Sequence, residues 1–405
     1  MIWSISWKNI WRSKVRSIVV ITAIALGLTA GIFSSAFFTG MVNQRVNQAI
    51  SNEISHIQIH NPDFKETTDL ANYIQKTSEV YDLVKANPEI IGVSKRIVIY
   101  SMVASAETAA GVKITGINPD DEKMVSGIST KMIEGEYFEG VSRNPVVIGK
   151  KLADKLKVKV RSKVVITLQD MEKNITGGAF RIAGIYESAN TGFDENNIYV
   201  RDTDLIRLTA LPEGVCHEIA ILTSSNEMSM VVDDQLKSQL PDLQVENWKE
   251  ISPEMSYMTE VMGLYNYIFI VIILFALLFG IINTMLMVVL ERRKELGMLL
   301  AIGMSKGRVF SMIMLETVLL SLTGGILGIL MGWAVSGYFG KNPINLSRWG
   351  EGYSQLGYDT IVYTTIEPSQ FIVVTIMVIF TGIIAALYPA YKALRYDPAE
   401  ALRIE

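Results

Sequence analysis

The stretch VMGLYNYIFIVIILFALLFGIINTMLMVVL, residues 261–290, carries no acidic or basic side chain between Glu260 and Glu291. A helix needs about 20 mostly apolar residues to cross the hydrocarbon core of a bilayer. Three further intervals without such side chains are long enough, namely those bounded by Arg16 and Arg45, Glu316 and Lys341, and Glu367 and Lys392. Elsewhere charges interrupt every apolar run well below that length. The sequence therefore predicts an integral membrane α-helical protein with four transmembrane helices.

The overall composition agrees with this prediction. Hydrophobic residues make up 49% of the 405 residues and charged residues only 19%, whereas soluble domains carry about 25% charged residues. The net charge of −4 gives no basic surface for nucleic acid, so no nucleic-acid partner is expected. A single cysteine, Cys216, excludes an intrachain disulfide and a multi-thiolate metal site.

Basic residues set the expected orientation. They concentrate before the first span, after the second and after the fourth, as Lys8, Arg12, Lys14, Arg16, Arg292, Arg293, Lys294, Lys306, Arg308, Lys392, Arg395 and Arg403. The positive-inside rule then places both termini and the 291–308 loop in the cytoplasm. A cleaved signal peptide is the alternative for the first span, but its apolar run is longer than the ~7–15 residues of a signal peptide core.

This topology divides the chain into consecutive segments. They are a cytoplasmic interfacial amphipathic helix (1–16), the first transmembrane helix (17–42), a large extracytoplasmic α+β domain of two lobes (43–264), the second transmembrane helix (265–290), a cytoplasmic helix and loop (291–308), the third transmembrane helix (309–340), a short extracytoplasmic loop (341–367), the fourth transmembrane helix (368–391) and a cytoplasmic tail (392–405).

The first segment has the pattern of a helix that lies at the membrane surface. Apolar residues recur at helical spacing while basic residues face away, the two sets being Ile2, Trp3, Trp7, Ile10 and Trp11, and Lys8, Arg12 and Arg16. Indole rings favour headgroup depth, and cations there meet anionic lipid. Anchoring is the expected role, and participation in transport is the alternative.

The insert alternates short strand and helix patterns. In Ser55–His60, the residues Ile57 and Ile59 share one face and His56, Gln58 and His60 the other, which predicts a half-buried strand. Further predicted strands are Ser94–Met102, Val112–Ile117, Pro145–Ile148, Lys163–Leu168, Phe180–Tyr186, Asn197–Val200, His217–Thr223 and Leu243–Trp248, with helices at Lys150–Leu156, Asp202–Leu208 and Glu227–Gln239. Turn clusters near Asn118–Asp121 and Ala189–Asn196 indicate the two lobes.

We find no pattern typical of a catalytic or metal site. His56 and His60 are four residues apart, but on a strand they point outward side by side without the glutamate of a zincin motif, so a solvent-facing or pairing role is expected. No G-x-x-x-x-G-K-[ST] phosphate loop occurs, and Gly303–Gly307 lacks its spacing. The chain is therefore expected not to be an enzyme, and any energy must come from a partner.

The segment after the second span resembles a known family. It is similar to the FtsX-like permease domain shared by LolC/LolE lipoprotein-release permeases, MacB efflux pumps and FtsX proteins, closest to the LolC/LolE group. The matching residues are Glu291, Arg292, Arg293, Glu295, Leu296, Gly297, Ala301, Ile302 and Gly303, followed by Glu316, Gly324, Gly325, Gly328 and Gly332. Leu300 departs from the pattern, because many relatives carry a basic residue there.

The two ends of the chain extend this resemblance. The run Trp7–Arg16 is similar to the family's opening, and the tail is similar to its most specific signature through Tyr388, Pro389, Ala390, Lys392, Ala393, Arg395, Pro398, Ala401, Leu402 and Arg403. One helix, a large insert and then three helices is also the family's order. The resemblance therefore covers the whole chain, most weakly in the insert.

The resemblance implies a permease subunit of a type VII ABC transporter in a bacterial inner membrane. Residues 291–303 would form a coupling helix seated on a separate ABC ATPase, which would bind ATP and Mg²⁺, since this chain holds no cofactor. A second permease chain, identical or paralogous, would complete the complex. ATP-driven movement would reach the insert along the first two spans.

Small residues suit such a bundle. Gly27 and Gly31 are four residues apart on the first span, and Gly324, Gly328 and Gly332 repeat the interval on the third. This spacing lets helices approach closely in lipid, either within one chain or between two chains. Glu316 lies near the inner end of the third span, where a carboxylate is costly enough that a partner is expected. We expect it to snorkel to the interface rather than to couple protons.

The leading function that the resemblance implies is the release of lipoproteins from the membrane, with lipoprotein as cargo. A MacB-like efflux permease with a periplasmic adaptor is the first alternative, although MacB chains usually carry their own ATPase. An FtsX-like regulator of a cell-wall hydrolase is the second, although its insert is usually much smaller than residues 43–264.

Overall fold

The computed structural model describes residues 2–12 and 14–394. It divides into two compact units, which we call the membrane unit (Met1–Val42, Glu260–Ile344 and Val362–Glu405) and the insert unit (Asn43–Thr259 and Asn345–Ile361). The helices in chain order are α1 (Ile2–Arg12), α2 (Lys14–Ala49), α3 (Phe64–Thr67), α4 (Thr77–Lys85), α5 (Pro119–Lys123), α6 (Lys150–Leu156), α7 (Thr191–Asn196), α8 (Asp202–Thr209), α9 (Asn226–Gln239), α10 (Trp248–Ile251), α11 (Pro253–Glu291), α12 (Arg293–Ala301), α13 (Lys306–Lys341), α14 (Gly350–Gln355) and α15 (Pro368–Ala393).

Four helices are long and apolar enough to cross a membrane, namely α2, α11, α13 and α15. They contain the four predicted transmembrane helices, and the predicted fold class is confirmed. The helices exceed the predicted spans because α2 and α11 continue beyond the apolar stretch, to Ala49 and back to Pro253. An apolar run marks where lipid begins, whereas a helix ends where its backbone hydrogen bonding ends.

The insert unit contains ten strands of one sheet. They are β1 (Ile57–His60), β2 (Ile90–Ala104), β3 (Ala109–Ile117), β4 (Met132–Gly135), β5 (Pro145–Gly149), β6 (Lys163–Gln169), β7 (Ile175–Tyr186), β8 (Asn197–Arg201), β9 (Glu218–Thr223) and β10 (Gln244–Asn247). The order is β10-β1-β9-β2-β3-β8-β5-β7-β4, and β6 pairs with both β2 and β7. The strands β2, β3, β8, β5, β7 and β6 therefore close into a ring.

The ring and its extension correct the predicted lobes. The ring encloses its own hydrophobic core, which includes Val112, Ile148 and Phe180. The strands β9, β1 and β10 continue the sheet from the first half of β2 and pack a second core against α4 and α9. Both parts share β2, so they belong to one sheet. Their junction falls within a strand, and the predicted turn clusters do not separate them.

Strand β1 is fully buried, and the prediction of a half-buried strand was wrong. His56, Gln58 and His60 are 6%, 5% and 2% exposed. The strand lies between β9 and β10, and its polar face is covered by partners. His56 Nε2 lies 2.9 Å from Asn226 Oδ1, and His60 Nε2 lies 3.3 Å from Glu218 Oε2. Burial lowers the pKa of His56, which is only partly offset by Asn226 and Glu227.

Arg96 connects the two parts of the sheet. Its Nε and Nη2 donate to Glu122 at 3.0 and 2.6 Å, and its Nη1 donates to Glu218 at 2.8 Å. All three side chains are buried. Burial raises the pKa of Glu218, but Lys113, His60 and Arg96 outweigh that effect and hold it well below its usual range. Among residues 2–12 and 14–394, no group of three His, Cys, Asp or Glu side chains is placed to hold a metal ion.

The loop between α13 and α15 contributes residues 345–361 to the insert unit. Asp359 Oδ2 accepts a hydrogen bond from Gln48 Nε2 at 2.8 Å, and the Ser354 carbonyl accepts one from Thr191 Oγ1 at 3.2 Å. A two-stranded ribbon, Ile344–Asn345 with Ile361–Val362, closes the loop. The sequence predicted only a short connection here.

Candidate coupling site in the membrane unit

The candidate coupling segment folds as the short helix α12 between α11 and α13. Arg292 interrupts the helix that precedes it, with φ −94° and ψ 16°, and α12 then runs from Arg293 to Ala301. Leu296 is 4% exposed and packs into the core of the bundle, whereas Met298 and Ile302 are 50% and 78% exposed. One side of α12 is thus held by the bundle, and the opposite side presents apolar side chains.

Gly303 terminates α12 in a Schellman motif. Its N–H donates to the Leu300 carbonyl at 3.1 Å, and the Met304 N–H donates to the Leu299 carbonyl at 3.0 Å. This motif requires a left-handed residue after the last helical turn, and Gly303 has φ +99°. Leu299 and Met304 both pack against the bundle core, as the motif's hydrophobic contact requires. The end of α12 therefore explains why a glycine, Gly303, stands at this position.

Alternating charges connect α12 with α1 and α13, and α2 with α11. Glu295 accepts hydrogen bonds from Arg12 Nη1 at 3.0 Å and from Arg292 Nε at 3.1 Å, and Arg292 Nη1 lies 3.2 Å from both carboxylate oxygens of Glu316. Arg16 donates to both oxygens of Glu291 at 2.5 and 2.6 Å. We call these six residues the charge cluster. Burial raises the pKa of Glu295, but the bonds from Arg292 and Arg12 outweigh it and lower that pKa overall.

Glu316 has a different environment from the one predicted. It is 5% exposed and pairs with Arg292, so it does not snorkel to the interface. Arg292 lies at the break between α11 and α12, from which its side chain can reach α13. A buried carboxylate is expensive without a cation, and this pair supplies one.

Helix α1 is held in the bundle as well as at the surface. Ser6 Oγ donates to the Met312 carbonyl at 3.2 Å, and Ser17 Oγ donates to the Ile10 carbonyl. Ile10 is 2% exposed, so it belongs to the core and not to the predicted lipid-facing set. Trp3, Trp7 and Trp11 remain 62%, 40% and 43% exposed, as residues at a headgroup layer would be. Because Arg12 also binds Glu295, α1 contacts α12 in addition to any anchoring role.

The glycines spaced four residues apart lie in helix contacts within one chain. Ideal Cβ atoms placed on Gly324, Gly328 and Gly332 would lie 2.9, 2.8 and 3.0 Å from the Cβ atoms of Ile24, Leu28 and Ile32 on α2. Gly27 and Gly31 similarly face Leu277 and Ile273 of α11, and Gly325 faces Val378 of α15. Helix α2 thus packs closely against both α11 and α13.

Comparison with known families agrees with this arrangement. The model of the MacB-like periplasmic core domain matches residues 17–239, and the model of the FtsX-like permease C-terminal domain matches residues 267–398. The first match alone spans more than half of the chain.

The chain belongs to the MacB-like and FtsX-like permease family.

Relatives of this permease include three ABC transporter proteins. The lipoprotein-releasing system transmembrane protein LolC of Neisseria meningitidis is 22% identical over 84% of the permease and 82% of LolC. An uncharacterised ABC transporter permease of Methanocaldococcus jannaschii is 27% identical over 67% of the permease and 65% of that protein. The macrolide export ATP-binding/permease protein MacB of Chlorobaculum tepidum is 34% identical over 31% of the permease and 17% of MacB. The protein is thus a type VII ABC transporter permease related to LolC, and members of its family work with ABC ATPases.

The C-terminal motif of the permease is described only in part. Tyr388, Pro389, Ala390, Lys392 and Ala393 lie in the last turns of α15, where Ala390 and Ala393 are buried in the bundle core. Arg395, Pro398, Ala401, Leu402 and Arg403 lie outside the described residues. The described part of the motif therefore packs α15 into the bundle.

Two arginines of the permease's charge cluster were not singled out as site residues from the sequence. Arg12 and Arg16 are four residues apart, as are Glu291 and Glu295, an interval that shares one face in a continuous helix. The structure pairs Arg16 with Glu291 and Arg12 with Glu295, although Arg12 ends α1 and Arg16 is on α2, and Glu291 ends α11 and Glu295 is on α12. The matching intervals were a usable signal, but the sequence alone did not show that these two segments meet.

Proposed function

We propose that this chain is the permease subunit of a lipoprotein-releasing ABC transporter of the LolC/LolE type, in a bacterial inner membrane with both termini in the cytoplasm. The observation that carries the proposal is the extent of the LolC match, which covers 84% of this chain and 82% of LolC. The MacB match, although 34% identical, covers only 17% of MacB. ATP and Mg²⁺ bind to the separate ATPase, and a second permease chain, identical or paralogous, completes the complex.

The exposed side of α12 supports the position of the ATPase. Met298, Ala301 and Ile302 are exposed on this helix, and Ile302 alone is 78% exposed. Apolar side chains presented on a helix are typical anchors for a groove on a partner protein. In this proposal the ATPase holds α12 by these residues.

The charge cluster supports transmission from α12. Its ion pairs join Glu295 of α12 to Arg12 of α1 and, through Arg292, to Glu316 of α13, so a shift of α12 changes contacts on α1 and α13. The pair of Arg16 and Glu291 joins α2 to α11 at the same end of the bundle. Helices α2 and α11 are also the chain connections from the membrane unit to the segment 43–259. The proposal requires two arrangements of these helices that nucleotide biases differently.

An apolar surface on the insert unit supports a cargo or carrier site. Tyr100, Met102, Val165 and Ile175 are 61%, 56%, 46% and 78% exposed, and they lie on β2, β6 and β7 of the ring. The register pairs Ala104 with Val165 and Gln169 with Ile175, which places these side chains on one face of the sheet. Exposed apolar side chains gathered on one face of a sheet commonly mark a binding site for protein or lipid.

The test is to purify the full chain with its native ATPase and identify what co-elutes. We expect a lipoprotein that ATP releases to a soluble acceptor, and we expect Met102→Lys to weaken that release. Met124, which follows α5 and is 55% exposed, offers a matched control outside these strands as Met124→Lys. Recovery of a hexameric adaptor without lipoprotein would support the MacB-like alternative instead. A cell-wall hydrolase without lipid or drug cargo would support an FtsX-like regulator.

The coupling step has a separate test. Gly297→Pro removes a backbone donor inside α12 and places a ring against the preceding turn, which breaks a helix. We expect this complex to assemble and hydrolyse ATP while its insert no longer changes conformation with nucleotide, as read by a fluorescent probe on the insert. An unchanged nucleotide response would show that α12 is not the coupling element.

A further inference from the structure

One short segment of the insert unit is strongly basic although the unit as a whole is acidic. Residues 143–163 contain eight basic residues and one acidic residue, whereas the whole range 43–259 contains 23 basic and 31 acidic residues. A basic patch on an otherwise acidic domain attracts anionic partners and fixes the face that they approach. The segment is therefore a candidate surface for binding an anion.

Four exposed cations gather where this segment meets β7. We call them the basic cluster, and they are Lys159, Arg161, Lys163 and Arg181. Lys163 lies directly opposite Arg181 in the antiparallel pair of β6 and β7. The next residue of β6, Val164, and the residue before Arg181, Phe180, are fully buried in the core of the ring. Because side chains alternate between the two faces of a strand, Lys163 and Arg181 point outward from the ring.

Hydrogen bonds hold the other two cations beside this pair. Arg181 Nη1 donates to the Arg161 carbonyl at 3.5 Å. The Ser162 N–H donates to the Lys159 carbonyl at 3.0 Å, and the Lys159 N–H donates to Ser162 Oγ at 3.1 Å. Lys159 and Arg161 therefore belong to one turn, which leads into β6 next to Arg181.

The basic cluster lacks a carboxylate partner among the described residues. None of its four cations forms an ion pair there, although neighbouring lysines do, Lys150 with Asp154, Lys155 with Glu195 and Lys157 with Glu107. Like charges directly opposite each other destabilise a sheet, so an acidic residue at 163 or 181 would suit the fold better. A local rule that is broken without a structural gain commonly marks a functional site.

The composition of this surface indicates the class of anion. No aromatic residue occurs between Phe138 and Phe180, so the surface lacks the rings that stack on nucleic-acid bases or anchor a domain among lipid headgroups. Lysine supplies six of the eight basic residues of 143–163, and lysine is depleted in protein–protein interfaces. Flexible lysine cations suit a flexible chain of charges, which they bind by releasing its counterions.

We propose that the basic cluster binds a flexible anionic polymer, whose charges are phosphate or carboxylate groups, along the outer face of β6 and β7. The four cations replace the counterions of neighbouring charged groups on one polymer chain. The site adjoins the apolar surface proposed for cargo, because Val165 follows Lys163 on the same face of β6. It does not depend on which substrate the transporter moves.

Lysine footprinting locates the polymer on the full chain. The protein in phosphatidylcholine nanodiscs is acetylated with and without inorganic polyphosphate or polyglutamate, and the modified lysines are measured by mass spectrometry. We expect one of these polymers, or both, to reduce the labelling of Lys159 and Lys163 severalfold. Lys76 and Lys123, whose side chains are 75% and 42% exposed, should react as before. The more protective polymer identifies the charged group.

Charge variants measure how much the cluster contributes to binding. Each contact with a single-stranded polyanion adds a slope of about −0.7 to log K against log salt. The double variant Lys163→Gln with Arg181→Gln removes two contacts and should weaken the binding of labelled polymer roughly 25-fold at about 0.1 M salt. The matched control, Lys76→Gln with Lys123→Gln, removes the same charge from lysines that pair with Glu79 and Asp120, and it should have little effect.

Arg181→Glu gives a second test that does not weaken the sheet. Its carboxylate would face Lys163 and relieve the contact between like charges, so the melting temperature should not fall while polymer protection of Lys159 is lost. The proposal is overturned if neither polymer protects Lys159 and Lys163, or if the two double variants bind polymer equally. Protection by phosphatidylglycerol vesicles but not by the polymers would also overturn it, and would indicate a lipid surface instead.

Discussion

Arg292 and Glu316 form a largely buried ion pair between the break that precedes α12 and the first third of α13, with Nη1 of Arg292 3.2 Å from both carboxylate oxygens. Arg292 also binds Glu295. The pair therefore ties α12 to α13. Either side chain alone would be a costly charge in this environment.

Glu316→Gln tests this pair. Because the amide keeps the size of the side chain but loses its charge, we expect the unfolding free energy to fall by about 1–3 kcal/mol, seen as a lower melting temperature in detergent. In an Arg292→Met background the same change should instead stabilise the protein, because it removes a carboxylate that has been left buried without its cation. Equal effects in both backgrounds would show that the pair does not contribute.

Gly328 tests the contact between α13 and α2. An added Cβ would lie 2.8 Å from Leu28 Cβ and 2.9 Å from the Ala25 carbonyl, so Gly328→Ala must push the helices apart at a cost of about 1–3 kcal/mol. Gly337 on the same helix has no neighbour within 4 Å. Gly337→Ala should be neutral or stabilise by up to ~1 kcal/mol through helix propensity. Thermal unfolding of both variants measures this difference. Similar shifts in their melting temperatures would contradict the packing explanation.

Gly303→Ala tests the end of the coupling helix. A side chain at a left-handed position costs roughly 1–2 kcal/mol, and relief of that strain would move the last turn of α12. We expect weaker cargo-stimulated ATP hydrolysis by the assembled complex. Gly307→Ala is the control, because Gly307 is not in the left-handed region and has no neighbour within 4 Å. If both variants behaved alike, the Schellman motif would not matter for coupling.

Arg96→Met tests the junction of the insert sheet. The change leaves Glu122 and Glu218 buried without their shared cation, which should cost about 3–5 kcal/mol and expose the insert to limited proteolysis in the full chain. Arg207, whose side chain is 62% exposed and pairs with Asp204, is the matched control, and Arg207→Met should cost at most ~1 kcal/mol. If Arg96→Met and Arg207→Met resisted protease equally, Arg96 would not stabilise the junction of the sheet.

Asp194 makes the insert's stability depend on pH. Burial raises the pKa of Asp194 to about 6, against the lowering effect of hydrogen bonds from the Ser188 hydroxyl and N–H. The folded state therefore holds this proton more tightly than the unfolded state, so its contribution is fully present below about pH 4 and is lost as pH rises through about 6. The loss amounts to roughly 3 kcal/mol.

Melting temperatures at pH 4.5–8 for the full chain and for Asp194→Asn check this effect. The decline attributed to Asp194 should disappear in the variant, because asparagine does not titrate. The difference between the two curves isolates this residue from other titrating groups. Parallel curves would show that Asp194 ionises normally.

Much of the fold could be predicted because its signals are local. Gaps without charge located the four spans, and alternation located most strands of the insert, such as Lys163–Gln169. The strand β4 was missed, since Met132–Gly135 is short and largely exposed. Helix α7 was read as a turn cluster, because Asn190 and Gly192 favour turns in isolation, yet Asn190 caps this helix by accepting from the Phe193 N–H.

The sequence predicted which segment forms the candidate site, but not which distant side chains contact it. The family-like residues 291–303 indicated a coupling helix, but Arg12 and Arg16 lie more than 270 residues away along the chain from their partners. No local pattern reports which faces of two distant helices meet. The same limit applied to His60, whose strand showed ordinary alternation although both of its faces are covered.

By itself, the sequence determined that the chain crosses a membrane, where its helices and strands lie, and which permease family it resembles, because hydrophobicity and backbone preference act over a few neighbouring residues. Only the tertiary structure decided that Glu316 is paired, that β1 is buried on both faces, that the glycines close the contact between α2 and α13, and that a ring of six strands shares β2 with the rest of the sheet. Each of these depends on the approach of segments far apart in the chain, and packing and charge pairing set that approach only once the whole chain has folded.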